Sequence, residues 1–402
     1  MSTIIIGAGH GGGTVAALLR QNGYTDPITL IGEEPHAPYQ RPPLSKGWLK
    51  GEVSGEGLLL RPRDWYTEAG ITLRTSTRVV QIDRAARTVT LSTDETLPYD
   101  KLVIATGARA RKLVLPGSDL KGFLELRTIE DAEAIKAWFR PGFRLAIIGG
   151  GYVGLEVAAS ARKLGAEVDV LEREDRLLAR VAGPVLSTFF REVHEEHGVR
   201  FHFGVSVEGF EGLDGQVSGI RLAGAETLNC DAVLVGIGAI PNDDLARAAG
   251  LECNNGVVVD AHARTSDPDI FAIGDMTQRP MPLYDRSVRL ESVPNALEQA
   301  RQAAAAICGT PEPKPETPWF WSDQYDLKLQ IAGMPFDVDQ VVVRGEPASR
   351  KFSVFHLSQN RVQAVEAVNS PPEFMVGRQW LASRREVDPA RLADLSIPIK
   401  EV

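Results

Sequence analysis

Two glycine-rich runs constrain this 402-residue chain more than any other feature: Gly7-Ala8-Gly9-His10-Gly11-Gly12 near the start and Gly149-Gly150-Gly151-Tyr152-Val153-Gly154 well inside it. A single G-x-G-x-x-G is a weak signal, because glycine turns are common. Here each copy stands in the same context. Residues 3–6 form a short apolar run that reads as a buried parallel strand, and residues 14–20 read as the helix that follows. Residues 144–148 and 155–162 repeat that grammar around the second run. In such a unit the first glycine permits the tight turn, and the second lets the backbone approach a pyrophosphate. The third lets helix and strand pack closely, and the helix N-terminus faces the anion. Gly7, Gly9, Gly11 and Gly12 are therefore candidates at one dinucleotide site, and Gly149, Gly151 and Gly154 at another. Two nucleotide cofactors on one chain point to electron exchange between them.

The strand after each turn ends in an acid. Residues 28–31 lead to Glu33, and residues 167–171 lead to Glu172. A carboxylate there accepts hydrogen bonds from ribose hydroxyls. At the second site, Glu172 favours the free 2′-hydroxyl of NADH and repels the 2′-phosphate of NADPH, so NADH is the expected cofactor and NADPH the less favoured one. Arg173 and Arg176 lie near enough in sequence to soften that preference.

Composition narrows the partners. The net charge of −9 argues against nucleic acid as a general partner, although an acidic molecule can still carry a local basic patch. The longest apolar stretch, residues 145–161, contains Glu156 and several glycines, so it belongs to the second turn and no membrane span is expected. No signal peptide is expected, because the first strand begins at Thr3, and a cytoplasmic location follows from that reading. Cys230, Cys253 and Cys308 are not spaced to hold zinc or an iron–sulfur cluster, and read as bland buried thiols. His194 and His197 flank Glu195 and Glu196 on what reads as a solvated helix face, so no metal site is expected.

Further along, residues 101–104 read as a strand running into Ala105-Thr106-Gly107, and residues 269–273 as one ending in Gly274-Asp275. Pro294 suits the first turn of a helix reaching residue 307. A proline-rich linker, residues 309–318, precedes a change of pattern. Residues 328–332, 340–344, 351–357 and 361–368 then read as consecutive antiparallel strands, and 371–385 as a helix.

Together the two glycine turns, Ala105-Thr106-Gly107 and Ile273-Gly274-Asp275 resemble the glutathione-reductase-like class of FAD/NAD-linked reductases. Four further segments carry a narrower resemblance: Tyr39-Gln40-Arg41-Pro42-Pro43-Leu44-Ser45-Lys46, Leu283-Tyr284-Asp285, Glu291-Ser292-Val293-Pro294-Asn295-Ala296 and Trp319-Phe320-Trp321-Ser322-Asp323-Gln324. They are similar to the oxygenase-coupled FAD-dependent ferredoxin reductases, and that resemblance spans nearly the whole chain.

The resemblance implies an α/β fold with two Rossmann-like nucleotide-binding domains and a C-terminal α+β domain. The FAD-binding domain, 1–110 and 240–315, would be split by an inserted NAD-binding domain, 111–239, with the C-terminal domain at 316–402. It implies electron transfer from NADH through FAD to a 2Fe-2S ferredoxin, which serves a haem (cytochrome P450) or Rieske oxygenase. Disulfide reductases of the wider class carry redox cysteines after the second FAD strand; this chain has none between Arg41 and Lys46, so electrons cannot leave through a thiol.

Roles carried by the resemblance are a Lys46–Glu156 pair beside the flavin, Tyr152 covering the flavin face until nicotinamide arrives, Asp275 on the ribitol chain, the Val293 backbone on the flavin ring and Trp321 packed near it. Val79, Arg127 and Gly238 complete the implied cofactor contacts. The helix from Pro294 would direct its positive end at the reduced ring. Arg301, Lys328 and Lys400 are candidates for a basic patch that receives an acidic ferredoxin. Two alternatives stand beside this: a rubredoxin reductase on the same scaffold, and an NADH-sensing flavoprotein resembling apoptosis-inducing factor, in which a stable reduced complex governs association.

Overall fold

A computed structural model describes residues 2–224 and 226–402. The chain divides into two compact units, one formed by 1–40, 55–109 and 240–320, the other by 41–54, 110–239 and 321–402.

The first unit is built on a five-stranded parallel sheet. Its order is Ile270–Ala272, Lys101–Ile104, Thr3–Ile6, Ile28–Ile31, Ile71–Arg74. The strands are short and apolar because both sheet faces are covered. On one face, Val15, Ala16 and Leu19 of the helix His10–Gln21 pack with Ala300, Ala303 and Ala304 of the helix Val293–Cys308. The late strand Ile270–Ala272 returns to pair with Lys101–Ile104, so the unit closes only when the distant third of its sequence arrives.

The second unit repeats the parallel sheet in the order Phe123–Leu124, Ala232–Val235, Arg144–Ile148, Glu167–Glu172, Val199–Phe203. It also contains a C-terminal sheet ordered Trp319–Gln324, Leu327–Gly333, Arg361–Val368, Lys351–Ser358, Gln340–Glu346, whose last four strands pair antiparallel. The helix Pro371–Ser383 packs on this sheet through Phe374, Trp380 and Leu381. The first strand at its edge, Trp319–Gln324, is additional to the four expected.

Three expectations need correction. Both helices after the glycine turns begin earlier than 14 and 155: they span His10–Gln21 and Tyr152–Lys163, capped by Gly9 and Gly151. The later glycines of each run are helical residues, disguised by glycine's low helix propensity. The second correction concerns His194, which is fully buried and not on a solvated face. On the helix Pro184–Glu196 it stands four residues after Phe190, so it shares that helix's apolar side with Leu186, Phe190 and Val193. Third, only Cys230 is buried; Cys253 and Cys308 are partly exposed, and all three are free thiols. Among the described residues, no helix is long and apolar enough to cross a membrane, and no cluster of metal-ligating side chains occurs.

Candidate functional site

The two glycine turns are built alike. Gly7 and Gly149 both have φ near +108°, where a side chain is strained. A Cβ on Gly7 would collide with the Ala105 carbonyl, and one on Gly149 with the Gly236 carbonyl. In each unit the neighbouring parallel strand thus ends against the turn. A Cβ on Gly12 would strike the Gly7 carbonyl, and one on Gly154 the Gly149 carbonyl, so the helix can lie this close only without side chains. Around Gly9 and Gly151, by contrast, a Cβ would meet nothing within 4 Å. Each helix therefore starts at an open glycine with its positive end beside it, which is the cradle a pyrophosphate fits. Gly11 packs on Ile273, in the segment that leads to Gly274.

In the first unit, Glu33 is exposed just beyond the strand Ile28–Ile31, whereas the Glu34 carboxylate accepts the Tyr39 hydroxyl at 2.6 Å. Thr106 and Gly107 are clamped by Asn242. The Thr106 hydroxyl donates to the Asn242 carbonyl, the Asn242 side-chain amide donates to the Thr106 carbonyl, and the Asn242 N–H donates to the Gly107 carbonyl. Val79 is buried in the core beneath the strand Lys101–Ile104. Gln299 ties the Gly274–Asp275 turn to the helix that starts at Val293, because its Oε1 accepts from Gly274 N at 2.8 Å and from the Thr277 hydroxyl at 2.9 Å. The same helix is pinned by a buried ion pair, Arg279 Nη1 to Glu298 Oε2 at 2.7 Å, and Arg279 also donates to Asn295 Oδ1. Gln299, Arg279 and Glu298 carry no motif; Glu298 and Gln299 lie on the helix, and Arg279 meets Glu298 from the strand Thr277–Met281.

In the second unit, Glu172 ends its strand with both carboxylate oxygens engaged: Oε2 accepts the Gly150 N–H at 2.8 Å and Oε1 the Glu174 N–H at 3.0 Å. The acid is thereby held against the turn. Arg176 is committed to its own loop, donating to the Ala179 and Ala182 carbonyls and to the Ser187 hydroxyl. Arg173 is highly exposed and pairs with Glu174. Gly238 takes φ +102° in the loop after Ala232–Val235, and its carbonyl accepts the Arg111 N–H. The Arg127 backbone is fixed on both sides, its N–H by Asp131 and its carbonyl by Arg41.

Lys46 and Glu156 meet. Lys46 Nζ lies 2.7 Å from Glu156 Oε2, with the carboxylate 5% exposed and the lysine 17% exposed. Lys46 closes the turn Pro42–Ser45, whose two prolines pre-set its backbone. That turn docks on the helix Tyr152–Lys163: Ser160 donates to the Ser45 carbonyl, and the Ser45 hydroxyl donates to Glu156 Oε2 at 2.5 Å. Ser322 donates to the other oxygen, Oε1, at 2.6 Å. One buried carboxylate thus gathers three donors, the charge-assisted class of hydrogen bond that compensates burial best. Ser45 and Ser322 were not anticipated as partners of Glu156; the contacts join residues 111 and 166 positions apart.

Tyr152 is the first residue of that helix. Its hydroxyl is enclosed while the residue as a whole stays partly exposed. Burial pushes the phenol well above the ordinary tyrosine value, and the Glu366 and Glu156 carboxylates push the same way. The hydroxyl therefore stays protonated. Trp321 precedes Ser322 on the strand Trp319–Gln324, where alternation buries Ser322 and Gln324 on one face and leaves Trp321 on the other.

A family profile described as pyridine nucleotide-disulphide oxidoreductase matches residues 1–300, and one described as reductase C-terminal matches 319–402. The chain belongs to the pyridine nucleotide-disulphide oxidoreductase family. Within this family it is 52% identical to "Probable ferredoxin reductase CtmF" of Castellaniella defragrans, over 98% of this chain and 97% of that one. It is 44% identical to putidaredoxin reductase CamA of Pseudomonas putida, covering 100% and 96% respectively. A crystal structure of putidaredoxin reductase in covalent complex with putidaredoxin superposes with a TM-score of 0.97 at 43% identity, covering 100% of this chain and 97% of that one. The disulphide chemistry in the family's description has no counterpart here, since residues 1–229 contain no cysteine.

Proposed function

We propose that this protein is a ferredoxin–NAD(+) reductase, passing electrons from NADH through FAD to a 2Fe-2S ferredoxin that serves a cytochrome P450 or Rieske oxygenase. The observation that carries this reading is a pair of like-built dinucleotide turns in a chain with no cysteine before residue 230. The full-length similarity to ferredoxin reductases supports it. FAD, when bound, accepts hydride and releases electrons singly, which joins a two-electron donor to a one-electron acceptor.

The proposed division of the chain is FAD binding by 1–110 and 240–315, NAD binding by 111–239 and a C-terminal domain at 316–402. At the FAD site, Gly7, Gly11 and Gly12 shape the turn, Gly9 leaves room for pyrophosphate and Glu33 accepts from ribose. Val79, Ala105, Thr106, Gly107, Gly274, Asp275 and Val293 form the rest of its lining, with Arg127, Gly238 and Trp321 as further cofactor contacts. At the NADH site, Gly149, Gly151 and Gly154 receive the second pyrophosphate and Glu172 the adenosine ribose. Tyr152 acts as a movable cover. Lys46 supplies positive charge to the reduced ring, and Glu156 keeps it placed. The location proposed is cytoplasmic.

The test is to purify the protein, measure bound FAD, reduce it with NADH and mix it with a panel of 2Fe-2S ferredoxins and a rubredoxin. Rapid reduction of a ferredoxin supports the reading. Turnover with rubredoxin alone favours the rubredoxin reductase alternative. A long-lived NADH complex with negligible turnover favours the sensing alternative.

A further inference from the structure

Behind Glu156 runs a buried polar chain that the proposed function leaves unused. Ser322 Oγ, which donates to Glu156 Oε1, accepts from Gln324 Nε2 at 3.1 Å. Gln324 Oε1 lies 2.8 Å from His194 Nε2, and His194 Nδ1 lies 3.1 Å from the Tyr325 hydroxyl. Ser322, Gln324 and His194 are each no more than 1% exposed. Ser322 and Gln324 share one strand, and His194 comes from the helix Pro184–Glu196.

The direction of every link follows from the carboxylate. An ionised carboxylate only accepts, so the Ser322 proton must point at Glu156. Ser322 can then only accept from Gln324, which assigns the amide nitrogen to that side and the amide oxygen to His194. His194 must therefore donate from Nε2. Burial pushes its pKa down to about 4, so the ring is neutral, and Nδ1 must accept from Tyr325. The result is four hydrogen bonds in series, all donating toward Glu156, and such a chain polarises along its length. Lys46 and Ser45 hold the other oxygen. With both oxygens fixed from opposite sides, the carboxylate plane cannot turn, and the ammonium it holds is fixed with it.

We propose that Ser322, Gln324 and His194 are positioning residues for Lys46, acting through Glu156 as a one-way hydrogen-bond chain. This rests on the proposed role of Lys46 in flavin reduction. The competing account is a satisfied buried network that ties the strand Trp319–Gln324 to the helix Pro184–Glu196 and does nothing more.

Two measurements on the FAD-loaded protein separate these accounts. In stopped-flow reduction by NADH, Ser322→Ala and Gln324→Met should each lower the limiting rate per bound FAD about tenfold, with the NADH dissociation constant within about twofold of the parent. The parent rate in either variant, or a change confined to NADH affinity, overturns the proposal. In protein labelled with 15N-histidine, the His194 signal, identified by its loss in His194→Gln, should be the Nε2–H tautomer and should shift in Lys46→Met. An Nδ1–H tautomer, or a signal indifferent to Lys46→Met, overturns it even if a variant fails to retain FAD. A parent that NADH does not reduce would defeat the functional reading instead, and the histidine signal would still decide the chain.

Discussion

Lys46 Nζ and Glu156 Oε2 stand 2.7 Å apart although 110 positions separate them in sequence. The pair joins a proline-built turn to the helix of the second glycine unit. Glu156 is nearly enclosed, and its carboxylate is met by Lys46, Ser45 and Ser322. That makes the two members of the pair unequal. Removing the lysine takes away a partly exposed charge, whereas removing the carboxylate strands three donors.

Lys46→Met should slow flavin reduction by NADH by about tenfold or more, through loss of a preorganised positive charge, and leave FAD content close to that of the parent. Stopped-flow absorbance at saturating NADH measures it. A rate equal to the parent's rules out this role for Lys46.

Glu156→Gln should cost about 3 kcal/mol of folding stability, the usual penalty for breaking a buried pair from one side. Chemical denaturation of the holoprotein reads this. Adding Lys46→Met to Glu156→Gln should recover part of the loss, since no charge then remains unmatched; a double variant no more stable than Glu156→Gln alone contradicts the argument.

Glu172→Gln should shift cofactor preference toward NADPH about tenfold in the ratio of kcat/KM values, because a like charge beside the 2′-phosphate disappears. Arg176 will not magnify the shift, since its guanidinium is already bonded to its own loop. An unchanged ratio would show that Glu172 does not face the ribose.

His194 makes stability pH-dependent. Burial lowers its pKa from the ordinary 6.5 to about 4, helped by His197 and opposed by the Gln324 hydrogen bond. Between those values the unfolded chain binds a proton that the folded chain does not. The stabilisation is therefore complete above 6.5 and is lost as pH falls toward 4, with a limiting slope of about 1.4 kcal/mol per pH unit. Denaturation midpoints measured from pH 7 down to pH 5 should fall less steeply in His194→Gln than in the parent; equal slopes refute the assignment.

Gly9→Ala and Gly12→Ala should part company. An alanine at 9 meets open space, so the fold survives while FAD binding weakens; an alanine at 12 drives into the Gly7 carbonyl, so stability falls as well. Bound-flavin content and thermal midpoints together distinguish the two, and a Gly9→Ala protein with full FAD content counts against pyrophosphate binding there.

By itself the sequence determined the two dinucleotide units, the strands Thr3–Ile6, Ile28–Ile31, Arg144–Ile148 and Glu167–Glu172, and the closure of the thiol route. These features are local: a strand, a turn whose steric demands only glycine meets, and a terminal acid lie within about one supersecondary unit, so short-range patterning reports them. The early starts of both helices were hidden because glycine reads as a break even where close packing makes it helical. Only the tertiary structure decided what surrounds Glu156, where His194 lies and which edge strand completes the C-terminal sheet. Ser322 reaches Glu156 across 166 positions and His194 reaches Gln324 across 130. No periodicity along the chain encodes such a meeting; it exists only once separate elements have packed and buried polar groups must find partners where water no longer reaches.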